Sequence, residues 1–162
     1  MKRPLLDVNV ILDALLDRLP HGKAAAGLWA AAEGQRIVGL VPGHGVTTLF
    51  YLVRQGKGAA AARRAVDGVL SVFGVAPVDE AVLRRALSLG WSDFEDAVCA
   101  AAAEAAGCDV IVTRDPRDFR GSPVPVVDPV TALSLVEGGP GPEGVAERSR
   151  AFGRSTKRRR RA

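Results

Sequence analysis

The chain has no apolar run long enough to cross a membrane. Its apolar stretches, such as Ala97 to Ala103 and Val110 to Val112, fall well short of the roughly 20 residues a spanning helix needs. Met1-Lys2-Arg3-Pro4 leads directly into Leu5-Leu6, leaving no signal-peptide core and no small-residue cleavage site, so a cytoplasmic location is expected. Cysteine is scarce: Cys99 and Cys108 stand nine apart, a spacing that suits neither a zinc knuckle nor a disulfide framework. Both are read as packing thiols. No internal repeat is present. Acidic residues are missing altogether from 148–162, a segment that holds eight of the chain's 22 lysines and arginines.

What is present is enough apolar residue, 48% of 162, for one domain with a real core and a tail. The formal charge of +4 is unevenly spread: with eight cations confined to 148–162, residues 1–147 carry 14 cations against 18 acids, a net −4. From Gly138 onward the composition turns to glycine, proline and charge, with little to bury, so 138–162 is predicted to be disordered when free and the domain to span 1–137. Clustered arginines such as Arg158 to Arg161 bind nucleic-acid backbone without sequence preference. A solubilising extension is the competing reading.

Within 1–137, strands and helices alternate. Leu5 to Asp7 reads as a short buried strand and Asn9 to Leu16 as a helix with apolar Val10, Ile11, Ala14 and Leu15. His21 to Glu33 is an alanine-rich helix ended by Gly34, and Arg36 to Val41 a second strand. Pro42 to Gly45 reads as a turn, Val46 to Arg54 as a helix, Gln55 to Gly58 as a break, and Ala59 to Leu70 as the next helix. Ser71 to Val75 alternates like a third strand. Asp79 caps a helix stopped by Gly90; Ser92 or Asp93 caps another that Gly107 closes. Asp109 to Thr113 and Val124 to Val127 are the fourth and fifth strands, and Asp128-Pro129 starts a last helix through Val136. This order predicts an α/β fold, a three-layer α/β/α sandwich around a mostly parallel sheet of about five strands.

Four aspartates bracket this region: Asp7, Asp93, Asp96 and Asp115. Asp7 and Asp115 fall at the carboxyl ends of predicted strands, where open parallel sheets place ligand sites. Carboxylates gathered there repel, at roughly 4 kcal/mol per pair about 4 Å apart at an effective dielectric near 20, so a cation is expected among them. An all-oxygen donor set favours Mg²⁺ or Mn²⁺ over zinc. Asp93 and Asp96, three apart, share a helix face, although an acid at a helix start also serves simply as a cap. Glu95 is expected to point away into solvent. Small neighbours Ala97, Ala100 and Ala101 let the helix bring Asp96 close to the sheet.

Asp7-Val8-Asn9-Val10, Asp93-Phe94-Glu95-Asp96-Ala97 and Ile111-Val112-Thr113-Arg114-Asp115 ahead of Asp118-Phe119 together resemble PIN-domain nucleases, particularly the VapC-like toxin type, over about Leu5 to Leu135. The resemblance implies a Mg²⁺-dependent (or Mn²⁺-dependent) endoribonuclease whose metal is held by Asp7, Asp96 and Asp115, with Asp93 as a supplementary or substitute ligand. Such a metal lowers the pKa of a bound water, orients it in line with a phosphodiester and offsets charge on the leaving oxygen. Asn9 matches the family's polar partner to the acids, or is a helix N-cap; Thr113 positions a water, or simply suits a strand. The resemblance also implies an RNA substrate, a small cognate antitoxin that reaches into the pocket, and a homodimer.

The sequence departs from that pattern in one place. The family carries a glutamate on the helix after the second strand, whereas Val46 to Arg54 holds no acid. A one-metal site, with Asp93 compensating, is therefore favoured over a two-metal site, and a catalytically impaired PIN-fold protein that binds RNA or a partner is the alternative. Asp118 is left outside the site as a loop cap. Arg114 and Arg117, with Arg120, Arg54 and Lys57, are candidates for a basic rim that meets RNA, or ordinary surface charge. Trp29, Trp91, Phe50 and Tyr51 are assigned to core packing rather than to a partner groove. A receiver-like phosphoacceptor domain also uses acids at strand ends, but Arg114 and Asp115 occupy the region where it needs a lysine.

Overall fold

The computed structural model describes residues 1–138; the predicted tail, beyond Gly138, lies outside the described residues. Five short strands, β1 (Pro4–Leu6), β2 (Leu40–Pro42), β3 (Gly74–Ala76), β4 (Val110–Val112) and β5 (Val126–Val127), form one sheet in the order β3-β2-β1-β4-β5. All four pairings are parallel. Strand neighbours point to opposite faces, and the core divides accordingly. Leu6, Val41, Val110 and Val112 pack beneath α1 (Val8–Leu16), α2 (Gly22–Glu33), α3 (Gly43–Val72) and α6 (Pro129–Val136). Leu5, Leu40 and Ile111 face the opposite layer, α4 (Glu80–Leu89) and α5 (Phe94–Ala105). The predicted sandwich is the observed one.

Because β1 pairs with β2 on one side and β4 on the other, chain direction across the sheet reverses at β1. The crevice for a ligand therefore opens beyond the carboxyl ends of β1 and β4. The helix caps read from sequence hold where the chemistry is local. Asp79 accepts from Val82 N–H, Asp93 from Glu95 and Asp96 N–H, and Asp128 from Val130 and Thr131 N–H.

Several boundaries differ from expectation. The two helices predicted around a four-residue break are the two limbs of α3, interrupted only at Gly58 (φ 85°, ψ 171°), a backbone that glycine alone adopts without strain. Pro42 ends β2, and Gly43 to Gly45 form the first turn of α3 rather than a free turn. The second strand starts at Leu40, not Arg36, because Arg36 N–H closes α2 by donating to Ala31 O (2.9 Å). The left-handed residue at that closure is Gln35 (φ 55°), not Gly34. Ser71 and Val72, predicted as strand, finish α3: Ser71 Oγ donates to Gly68 O and Phe73 N–H to Val69 O. Phe73 is buried edge-on to Trp29 (centroids 5.0 Å apart), as Trp91 is to Phe119 (5.8 Å). Tyr51, by contrast, is exposed. The cysteines are buried and unpaired; burial pushes the Cys99 thiol up and the Cys108 thiol to about 11, which suits packing rather than reactivity. No described helix is long and apolar enough to cross a membrane.

Candidate functional site

Asp7 occupies the residue between β1 and α1, in extended conformation (φ −60°, ψ 149°). Its N–H donates to Val112 O (2.9 Å), which clamps it beside the end of β4. It stands at the N-cap position of α1, yet its side chain caps nothing; the carboxylate turns instead toward Thr113, whose Oγ1 donates to Oδ2 (3.2 Å). Thr113 is almost fully buried. Asn9 lies inside the first turn of α1, so the N-cap explanation for it is excluded.

Asp96 reaches the same place from α5. The helix runs along the sheet on Ala97, Ala100 and Ala101, all buried, and its first turn delivers the carboxylate to the crevice. An open pocket of about 470 Å³ results. Asp7, Asn9, Asp93, Asp96, Thr113, Arg114 and Asp115 all line it, so seven of the eight residues singled out in the sequence converge from three distant segments. The eighth, Arg117, does not line it. Its Nε donates to Asp115 Oδ1 (3.1 Å), and Arg120, Arg54 and Lys57 are not in the lining either.

The electrostatics follow from that crowding. Burial, then the charges of Asp93, Asp7, Asp118 and Glu95, push Asp96 up to about 7. Asp7 is also raised, chiefly by burial, although the bonds from Thr113 and the Val8 N–H and the charge of Arg114 work against the rise. Asp115 behaves oppositely: its hydrogen bond from Arg117 holds it below the usual carboxylate range. The kernel of the site is thus Asp7 with Asp96, and Asp115 sits at its edge, turned toward Arg117.

Three residues that the sequence did not assign to the site belong near it. Asp118 lines the pocket from a 3-10 turn (Pro116–Phe119) and its charge reaches Asp96, which corrects its exclusion as a loop cap. Its spacing of three from Asp115 was the available signal. His21 also lines the pocket. Glu95 is exposed but leans toward α3, where Thr48 Oγ1 donates to its Oε1 (3.5 Å) and His44 Nε2 stands 4.0 Å away. The acid-free helix is therefore met by an acid from α5, whose charge reaches both Asp7 and Asp96. Burial keeps His44 low, and its Nδ1 has no hydrogen-bond partner among the described residues.

The acids of the pocket offer the kind of donor a hard divalent cation takes. Their carboxylates are oxygen donors, and two of them, Asp7 and Asp96, are raised by crowding and burial that a cation would relieve. Among the described residues no three His, Cys, Asp or Glu side chains are placed close enough together to hold a metal ion as they stand.

No curated protein sequence matches the chain. Among solved structures, the fold is similar to VapBC2 from Rickettsia felis bound to a promoter DNA fragment (TM-score 0.62, 16% identity, 78% of this chain and 98% of that one). It is similar to a toxin-antitoxin complex from Klebsiella pneumoniae (0.59, 21%, 78% and 97%). It is also similar to the Sarcin-Ricin loop cleaving toxin VapC20 of Mycobacterium tuberculosis (0.59, 18%, 71% and 92%). Residues 3–117 match the PIN domain, a span that contains every acid of the pocket except Asp118. With the motifs in their expected order, the sheet order and the pocket in agreement, the chain belongs to the PIN domain family.

Proposed function

We propose that this PIN domain is an endoribonuclease dependent on Mg²⁺ or Mn²⁺, the toxin of a toxin-antitoxin pair. The observation that carries the reading is the meeting of Asp7, Asp93, Asp96, Asp115 and Asp118 in one pocket at the switch point of the sheet. Asp7 and Asp96 would hold the ion, with Asp115 and Asp93 at its margin. Bound there, such an ion supplies an ionised water and offsets charge on the leaving oxygen of a phosphodiester. The protein's own part is positional. Thr113 fixes the Asp7 carboxylate, the Asp93 cap fixes the first turn of α5 and with it Asp96, and Arg114 brings one positive charge to an otherwise acidic wall.

RNA as substrate and a partner antitoxin are carried over from the likeness to VapC20 and to the toxin-antitoxin complexes. The second reading, a PIN fold that binds RNA or a partner without cutting, is favoured by one observation: Asp115 is engaged by Arg117, and its charge is not among those that raise Asp96. A single assay separates the two. Labelled RNA incubated with the protein and Mg²⁺ or Mn²⁺ is expected to be cleaved, with EDTA stopping the reaction and Asp7→Asn leaving RNA binding but no cutting. Cleavage by Asp7→Asn at the parent rate would remove the catalytic assignment, and binding indifferent to metal with no cleavage would establish the second reading.

A further inference from the structure

Among the described residues Asp13 is the one charged side chain with no exposed surface. It lies in the middle of α1, between Leu12 and Ala14, where packing against α2 asks for another apolar residue. Instead it stands between two guanidinium groups. Arg18 Nε is 2.8 Å from Oδ1 and Arg114 Nε is 3.3 Å from Oδ2. Neither contact has hydrogen-bond geometry, since both Asp13 oxygens and Arg18 Nε lack such a partner. Charge, not directional bonding, holds the group. A buried carboxylate kept in that state needs its cations, so the three side chains form one unit.

One member of the unit faces the pocket. Arg114 is the single lysine or arginine in the pocket lining, and it follows Thr113 directly off the end of β4. We propose that Asp13 is a positioning residue for Arg114, and that Arg114, so held, receives the phosphate of the nucleic-acid backbone over the acidic pocket. The inference rests on the nuclease reading above. A phosphodiester approaching five aspartates is repelled unless a cation is aimed inward, and a long arginine on a loop otherwise swings into solvent. Asp13 meets Arg114 at Nε, and the Nη pair of a guanidinium is the planar donor edge that suits a phosphate. Arg18 matters to the balance. With one carboxylate between two guanidiniums, the unit keeps a net positive charge, so the charge of Arg114 is not cancelled by the group that orients it. Arg18 Nη2 also donates to Asn9 O (3.3 Å), tying the unit to the turn that carries a pocket residue.

The test uses the full chain in the Asp7→Asn background, which separates binding from cutting, and reads fluorescence anisotropy of a short labelled single-stranded RNA across a KCl series. Arg114→Gln is expected to weaken binding about tenfold and to reduce the slope of log affinity against log salt by about 0.7, the value of one phosphate contact on a single strand. Asp13→Asn is expected to do the same. The double variant is expected to be no weaker than Arg114→Gln alone, because Asp13 acts through Arg114. A structural role for Asp13 predicts instead that its loss adds fully in the Arg114→Gln background, with the salt slope unmoved, and that result overturns the proposal. If Asp13→Asn does not fold, Asp13→Leu with Arg18→Met, which replaces the buried ion pair by apolar side chains, carries the same comparison. RNA affinity unchanged in Arg114→Gln overturns this inference alone. A parent chain that neither binds nor cuts RNA overturns it together with the nuclease reading.

Discussion

The position of Asp96 makes the proposed cation site testable without any substrate. In the metal-free protein its carboxyl is pushed from 3.8 to about 7. Below pH 4 the folded and unfolded chains both hold the proton, and the shift has no effect on stability. Between about pH 4 and pH 7 the folded state binds more protons than the unfolded one, so stability falls as pH rises, and above 7 the loss is complete. For a fully buried group a change of this size corresponds to roughly 4 kcal/mol at about 1.4 kcal/mol per pH unit. Asp96 is partly open to solvent, and screening reduces the figure to about 1–2 kcal/mol. In a domain of this size that is a fall of about 3–8 °C in Tm between pH 4.5 and 7.5.

Two perturbations test the argument by differential scanning fluorimetry over that range. Asp96→Asn removes the titrating group, so the variant is expected to lose about that much less Tm than the parent over the same pH interval. Mg²⁺ or Mn²⁺ at a hundred times its Kd contributes about 2.7 kcal/mol, and its stabilisation of the parent is expected to be weak at pH 5, where Asp96 is protonated, and large at pH 8. In Asp96→Asn the metal effect is expected to be small at both. Parallel Tm curves for parent and Asp96→Asn, or an equal metal effect at pH 5 and pH 8, would refute the reasoning.

The remaining predictions concern the supports of the site and the fold. Thr113→Val removes the hydroxyl bonded to Asp7 while keeping the strand side chain; it is expected to cost about 1 kcal/mol in urea unfolding and to lower the cleavage rate by more than it raises KM for RNA. Gly58→Ala places a Cβ in open space but at φ +85°, so about 1–2 kcal/mol of stability is expected to be lost through backbone strain alone, with RNA affinity unchanged. Gly39→Ala brings a Cβ to 2.7 Å from the Phe73 ring, and overpacking there is expected to cost about 1–3 kcal/mol by denaturant titration.

What was legible in the sequence was local or periodic. Helix caps at Asp79, Asp93 and Asp128 depend on a side chain and the two or three N–H groups just after it, and the alternation of strand and helix sets the layer order through handedness alone. The boundaries of β2 and β3 were not legible, because they are decided by where a helix lets go. Arg36 is spent on closing α2 and Ser71 on extending α3, and neither partner is visible from residue type. The break predicted over Gln55 to Gly58 is a single glycine, because Gln55, Gly56 and Lys57 do not themselves prevent a helix.

The site divides in the same way. That Asp7, Asp96 and Asp115 would line one crevice followed from strand ends and motif order, but which acids couple most strongly is set by side-chain partners: Arg117 bonds Asp115 while Asp118, one 3-10 turn later, adds its charge to Asp96. Asp13 is the one acid on α1, but its meaning depends on Arg18 and Arg114 arriving from elsewhere. The helix without a glutamate shows the converse. Residue type alone marked a vacancy on α3, yet Thr48 and His44 turn toward Glu95 from the neighbouring layer, so negative charge reaches the space between α3 and α5 by another route. An acid's contribution to a pocket is set by where its carboxylate ends, and a flexible glutamate on an adjacent helix can deliver charge to a place where its own sequence position would never be sought.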